Sequence, residues 1–141
     1  MSGTTINQIN LNYFEVAKKL CRAKAVINDT DLRFDKELLV SADEGGQVIC
    51  TIVKSQTQLK KLFGLKQAAT LARFTPDGYS VIGANKAGNL LVWDLATGET
   101  TFAVHLSNDK ISDLVFLDNE TAAVSSYDGV LYIVNFRVPE V

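Results

Sequence analysis

The chain has 141 residues, 47% of them hydrophobic and 21% charged, with a formal net charge of −2. That composition suits one domain with a core and is too apolar for a disordered chain. The near-neutral balance gives no global electrostatic case for nucleic acid, and no run of about 18 apolar residues marks a membrane span.

The opening segment, residues 1–29, has neither the basic region nor the apolar core of a secretory signal. It reads two ways. Asn12 with Glu15 three residues on forms a capping box for a short helix. Alternatively, Ile9, Leu11 and Tyr13 alternate with polar residues, as in a strand. Lys18-Lys19-Leu20-Cys21 resembles Lys60-Lys61-Leu62-Phe63 further on, which favours strand.

Three units with one plan follow. In residues 30–65, strands are expected at 30–34, 38–42, 47–53 and 59–65. In residues 69–105 they are expected at 71–74, 80–84, 89–95 and 100–105. In residues 111–141 they are expected at 113–116, 122–126 and 130–136, with the fourth missing. Gly46, Gly88 and Gly129 precede the third strands and stand 42 and 41 residues apart. Thr75-Pro76-Asp77-Gly78 suits a type I turn, and Asp128-Gly129 suits a two-residue hairpin, since both residues tolerate positive φ. Leu90 to Trp93 and Leu131 to Val134 are apolar on both faces, so both faces need cover. The second strands are rich in Ala, Ser and Gly, as where sheets converge. Cys21 and Cys50 have no metal spacing, and two thiols without a signal peptide suit a reducing compartment.

The stretch from Ala69 to Glu99 carries a resemblance. Its order is apolar strand, Thr75-Pro76-Asp77-Gly78, small-residue strand, turn at Gly88, then Leu90-Leu91-Val92-Trp93-Asp94. This resembles a WD40 repeat, the four-stranded blade of a β-propeller, whose period is about 40–45 residues. The resemblance implies an all-β, partial WD40-like propeller of about three four-stranded antiparallel blades, with residues 1–29 part of a preceding blade. It implies structural roles for Trp93, Asp94, His105 and Asp128. In the family a histidine before the first strand joins a hydrogen-bonded set with a strand hydroxyl, a turn aspartate and the tryptophan. Here His105 finds Ser125 or Ser126 and Asp128, but Val134 replaces the aromatic. Only one third strand ends in Trp-Asp, and no Gly-His pair precedes any first strand.

The family also implies that loops from fourth to first strands and from second to third strands share one ring face that binds partners. The matching positions, expected to be exposed, are Glu44, Lys66, Gln67, Asn85, Lys86, Asn108, Asp109, Lys110 and Tyr127. Tyr127 is the leading contact, because tyrosine joins apolar area to a polar tip.

Catalytic chemistry is poorly provided for. A nucleophile–base pair would have to use the single histidine, and no G-x-S-x-G accompanies it. Gly83 to Gly88 has the glycine spacing of a phosphate loop but is followed by Asn89-Leu90 instead of Lys and Ser/Thr. No metal or other cofactor is expected. Basic groups at Lys18, Lys19, Arg22 and Lys24, and at Lys54, Lys60, Lys61 and Lys66, read as solvated edges. The expected function is a non-catalytic scaffold or adaptor that binds protein, cytoplasmic or nuclear, completed by self-association or by a partner subunit. The alternatives are a basic-surface binder of RNA or phosphorylated peptide, and a small-ligand or enzymatic propeller, which Thr97-Gly98 keeps open by its likeness to quinoprotein blades.

Overall fold

The computed structural model describes residues 25–137. What was expected of residues 1–24 and 138–141 lies outside the described residues. Eleven strands form three antiparallel meanders. The first sheet holds β1 (Ile27–Leu32), β2 (Leu38–Asp43), β3 (Val48–Ile52) and β4 (Thr57–Leu62). The second holds β5 (Ala69–Phe74), β6 (Ser80–Asn85), β7 (Asn89–Asp94) and β8 (Thr100–His105). The third holds β9 (Ile111–Phe116), β10 (Thr121–Ser126) and β11 (Leu131–Asn135). No described helix is long and apolar enough to cross a membrane.

Each expected strand within the described residues is present, with ends displaced by a few residues. β1 begins at Ile27 instead of residue 30, and β4 at Thr57 instead of 59. The turns explain why the strands stop where they do. In the first turn of the second sheet, Gly78 N–H donates to Thr75 C=O at 2.8 Å. Asp77 Oδ1 accepts from Thr75 Oγ1 at 2.7 Å and from Tyr79 N at 3.0 Å. Asp77 thereby fastens both sides of the turn.

The hairpins between second and third strands repeat one device. Asp43 Oδ1 accepts the N–H groups of Gly45 and Gln47. Asn85 Oδ1 accepts those of Ala87 and Asn89. Ser126 Oγ accepts Asp128 N–H at 3.3 Å. Gly46, Gly88 and Gly129 then take φ of +83°, +86° and +87°. In the turn at Asp128-Gly129 positive φ is confined to Gly129. The loop is longer than a two-residue hairpin: Ser126 N–H donates to Val130 C=O and Gly129 N–H to Ser126 C=O. That leaves one residue in the left-handed region, as in hairpins closed by a glycine bulge.

The sheets pack face to face. β1, β5 and β9 lie side by side, so the sheets converge at their first strands. Between the first and second sheets lie Val40, Val48, Cys50, Leu62, Ala72, Phe74, Val81 and Trp93. Between the second and third lie Leu71, Ile82, Leu90, Val92, Leu114, Val124, Val134 and Phe136. The second sheet is thus covered on both sides, as its uninterrupted apolar strands require; all six residues of β6 are buried. Cys50 is a free thiol in the first of these layers, and burial pushes its pKa up to about 11.

Trp93 is fully buried, and its Nε1–H donates to Phe63 C=O at 2.8 Å. Its six-membered ring lies over Gly83. A Cβ added there would sit 2.6 Å from Trp93 Cζ3. The small residue in β6 is therefore demanded by the indole of the next strand as well as by the convergence of the sheets.

Candidate functional site

One end of the convergence gathers loops from every sheet. The turn at Gly46 lies against the 63–68 connection, where an added Cβ would sit 2.7 Å from Gln67 C=O. The turn at Gly88 lies against the 106–110 connection, where the same Cβ would collide with Ser107 C=O. Only glycine allows both the close approach and the positive φ. Fourth-to-first connections and second-to-third turns therefore form one rim.

At the centre of that rim is an open cavity of about 230 Å³, lined by Asn28, Glu44, Thr70, Lys86, Lys110, Ile111, Ser112 and Tyr127. The lining follows the repeat. Asn28, Thr70 and Ser112 stand near the starts of the first strands, and Glu44, Lys86 and Tyr127 each follow the buried residue that opens a hairpin turn. Lys86 Nζ lies 3.7 Å from Glu44 Oε1. Asn28 Nδ2 donates to Glu44 Oε2 at 2.8 Å and to Ala69 C=O at 3.0 Å. Lys110 Nζ sits 4.9 Å from the centroid of the Tyr127 ring, a cation–π contact, and Tyr127 is 64% exposed. The ammonium and the phenol are held in place on the surface, with the phenol face largely wet.

Four of the nine expected contact residues, Glu44, Lys86, Lys110 and Tyr127, meet in this cavity. Lys66 lies apart, exposed at φ +68° in a second groove with Gly46 and Phe63. Gln67 is exposed beside Gly46. Asn108 and Asp109 are exposed on the 106–110 connection; Asn108 Oδ1 is 3.0 Å from His105 Nε2, and Asp109 Oδ1 accepts Lys110 N–H. Asn85 was expected at the surface and is fully buried. Its Nδ2 donates to Leu65 C=O at 2.9 Å while its oxygen holds the turn, so it fastens one sheet to the next and presents nothing outward.

The residues given structural roles also divide. Asp94 Oδ1 accepts Ala96 N–H, and Asp128 accepts from Val130 N–H and Tyr132 O–H. His105 does not meet Ser125, Ser126 or Asp128. It is exposed, with Nδ1 2.7 Å from Asn89 Oδ1 and Nε2 facing Asn108. Ser107 takes the partner expected for it, 2.9 Å from Ser126 Oγ.

The charged set at the converging strands was not foreseen. Arg73 on β5 pairs through Nε with Asp29 of β1 at 3.0 Å and through NH2 with Asp113 of β9 at 3.4 Å. Its NH1 donates to Leu114 C=O. Asp29 and Asp31 also accept the N–H groups of Ala72 and Phe74. Carboxylates of one sheet therefore satisfy the free edge of the next, and one guanidinium ties three first strands. Burial pulls the Arg73 pKa down, but the Asp29 hydrogen bond and the surrounding carboxylates outweigh it and raise it. Among the described residues no three His, Cys, Asp or Glu side chains cluster as a metal site needs.

No protein-family model matches the chain, and no curated protein matches it. Solved structures do. The β-propeller domain of Cps50 (Swd1) from Myceliophteria thermophila superposes with a TM-score of 0.77 at 15% identity, over 84% of this chain and 38% of that one. The WD40 repeats of RRP9 superpose at 0.76 with 17% identity, over 82% and 37%. U3-55K superposes at 0.77 with 17% identity, over 82% and 38%. The fold is a partial WD40-type β-propeller.

Its three sheets are blades, β1, β5 and β9 are their innermost strands, and the cavity lies at the loop end of those strands, where a closed propeller of this kind has its channel mouth. The chain spans less than two fifths of the length of the propellers it matches. The repeat makes the mouth residues equivalent from blade to blade, which is why a set scattered from Asn28 to Tyr127 in sequence closes around one opening.

Proposed function

We propose that this chain is a non-catalytic scaffold module that binds protein at the channel mouth, and that a further polypeptide completes its ring. The observation that supports this most is the meeting of Glu44, Lys86, Lys110 and Tyr127 at one opening. A largely exposed tyrosine with the Lys110 ammonium against its ring offers apolar area, a hydrogen-bonding tip and charge complementarity to an amphipathic peptide segment. Glu44 is already engaged by Lys86 and Asn28, so its carboxylate supports the shape of the opening. The buried free thiol of Cys50 suits a reducing compartment, cytoplasmic or nuclear.

A photo-crosslinking residue at position 127 tests the reading, with position 79 as control. Tyr79 is 74% exposed and follows the Thr75–Gly78 turn, at the opposite ends of the strands. A partner should crosslink from position 127 and not from 79, and Lys110→Glu with Tyr127→Ala should abolish capture without changing the melting temperature. Capture that persists in the double variant, or that is equal from both positions, refutes the mouth as the binding site.

A further inference from the structure

The rim of loops is held by one backbone bond that every blade repeats. Glu44 N–H donates to Val26 C=O at 2.9 Å, Lys86 N–H to Ala68 C=O at 3.0 Å, and Tyr127 N–H to Lys110 C=O at 2.9 Å. The donors stand 42 and 41 residues apart, and the acceptors 42 and 42. The backbone therefore fixes these positions whatever the side chains are. Glu44, Lys86, Lys110 and Tyr127 all turn their side chains to the same cavity. Blade 3 places a lysine at the acceptor position, where blades 1 and 2 have Val26 and Ala68.

Most polar groups of the lining are already committed. Thr70 Oγ1 donates to Ala84 C=O and Ser112 Oγ to Ser125 C=O, each across its own sheet. The Asn28 amide donates to Glu44 and to Ala69 C=O. Lys86 is only loosely engaged. Its Nζ is 3.7 Å from Glu44 Oε1, and the two side chains are 55% and 43% exposed, a wet pair that adds little stability. Lys110 makes no ion pair among the described residues, and its ammonium rests 4.9 Å from the Tyr127 centroid. The groups left to an occupant are therefore the two ammoniums and the Tyr127 hydroxyl.

The charges decide what kind of occupant fits. Lys86, Lys110 and Glu44 together leave one positive charge at the opening. The other carboxylates of this end are engaged elsewhere: Asp109 Oδ1 accepts Lys110 N–H, and Asp29 and Asp113 face Arg73. A carboxylate balances one positive charge, and its two oxygens can each accept from an ammonium. A phosphomonoester carries about −1.5 to −2 at neutral pH and leaves negative charge uncompensated, with Asp109 on the adjoining connection opposing it. The exposed part of the Tyr127 ring adds apolar area beside the charge.

We infer that the mouth receives an acidic peptide side chain, an aspartate or glutamate whose carboxylate is held by Lys86 and Lys110 while an apolar residue next to it in the peptide lies on Tyr127. The inference rests on the reading that the mouth binds protein, and it names the chemistry of the segment bound.

Peptide selection on the full chain tests it. A displayed library of short random peptides should enrich for Asp or Glu at a fixed place beside an apolar residue; enriched sequences without an acidic preference overturn the inference. With the strongest binder as a labelled synthetic peptide, Lys86→Gln with Lys110→Gln should weaken binding by about tenfold or more at an unchanged melting temperature. Lys86→Glu with Lys110→Glu should weaken it further, and should regain binding when the acid of the peptide is changed to lysine, which a misfolded variant could not do. No regain overturns the direct contact. Phosphoserine in place of the acid should bind no tighter; tighter binding assigns a phosphopeptide site and overturns the carboxylate. Binding that both lysine variants leave unchanged but Tyr127→Ala weakens also overturns the acidic occupant, and leaves the mouth a protein site. Binding unchanged in all these variants, or no enriched sequence at all, sinks the reading of the mouth as well.

Discussion

Gly83→Ala isolates the packing that joins blades 1 and 2. The new Cβ would lie 2.6 Å from Trp93 Cζ3, 2.7 Å from Cη2 and 3.3 Å from Leu65 Cδ1. Carbon atoms in contact prefer about 3.5–4.0 Å, so the overlap with the indole approaches ~1 Å. Trp93 cannot yield easily, since it is fully buried and tied through Nε1 to Phe63 C=O. Overpacking of this kind costs about 1–3 kcal/mol. Alanine also trims the entropy of the unfolded chain, which returns about 0.4–1 kcal/mol. The net loss should be about 1–2 kcal/mol, or roughly 3–10 °C in melting temperature for a domain of this size. Denaturant unfolding followed by circular dichroism, at one protein concentration, measures it. The decisive comparison repeats the substitution in a Trp93→Phe background, where Cζ3 and Cη2 are gone. There Gly83→Ala should be neutral or slightly stabilising, a coupling of about 1–3 kcal/mol between the two positions. An equal loss in both backgrounds would show that the indole does not demand the glycine.

Three further outcomes follow from single features. Gly129 has nothing within 4 Å of an added Cβ, whereas Gly88 faces the Ser107 carbonyl, and both have positive φ. Gly129→Ala should therefore cost only about 1–2 kcal/mol of backbone strain, and Gly88→Ala clearly more; equal losses in chemical denaturation would remove the steric account of Gly88. Thr51 Oγ1 is the one buried side-chain oxygen or nitrogen among the described residues without a hydrogen-bond partner. Thr51→Val should raise stability by about 1 kcal/mol or more, and a lower melting temperature would mean that the hydroxyl is bonded. Burial pushes the Asp77 carboxyl upward, but the Tyr79 N–H, the Thr75 hydroxyl and the Arg137 guanidinium at 2.8 Å outweigh it and hold its pKa below the usual range. A depressed folded pKa gives stability that is present above the unfolded value of about 3.9 and is lost as pH falls through the folded value. Wild type should therefore exceed Asp77→Asn in stability at neutral pH, and the gap should close in acid below about pH 3.9; a gap that does not change with pH would show that the charge contributes nothing.

Much of the architecture was legible because its causes are local. Turn residues and apolar runs belong to neighbouring positions in the chain, and the step between Gly46, Gly88 and Gly129 repeats those signals often enough to place each strand. Trp93 was legible for the same reason, as the end of a recognisable strand. Asn85 was not, because its neighbours in sequence form a polar turn, and only the Leu65 carbonyl of the adjoining connection makes its burial favourable. Arg73 gave no signal either: nothing near it in sequence says that Asp29 and Asp113 will arrive from the strands on either side. His105 lost Ser126 to Ser107, two residues away, because the path of a connection decides which side chain reaches Ser126, and Asp128 is taken by Tyr132 and Val130.

The sequence by itself determined that this chain makes repeated antiparallel sheets too apolar to be wet on either face, since alternation and turn chemistry are short-range properties of the chain. Tertiary structure decided which residues meet at the channel mouth and which carboxylates satisfy the innermost strand edges. Those outcomes depend on the angle and distance between sheets, which packing sets through side chains contributed by distant parts of the chain.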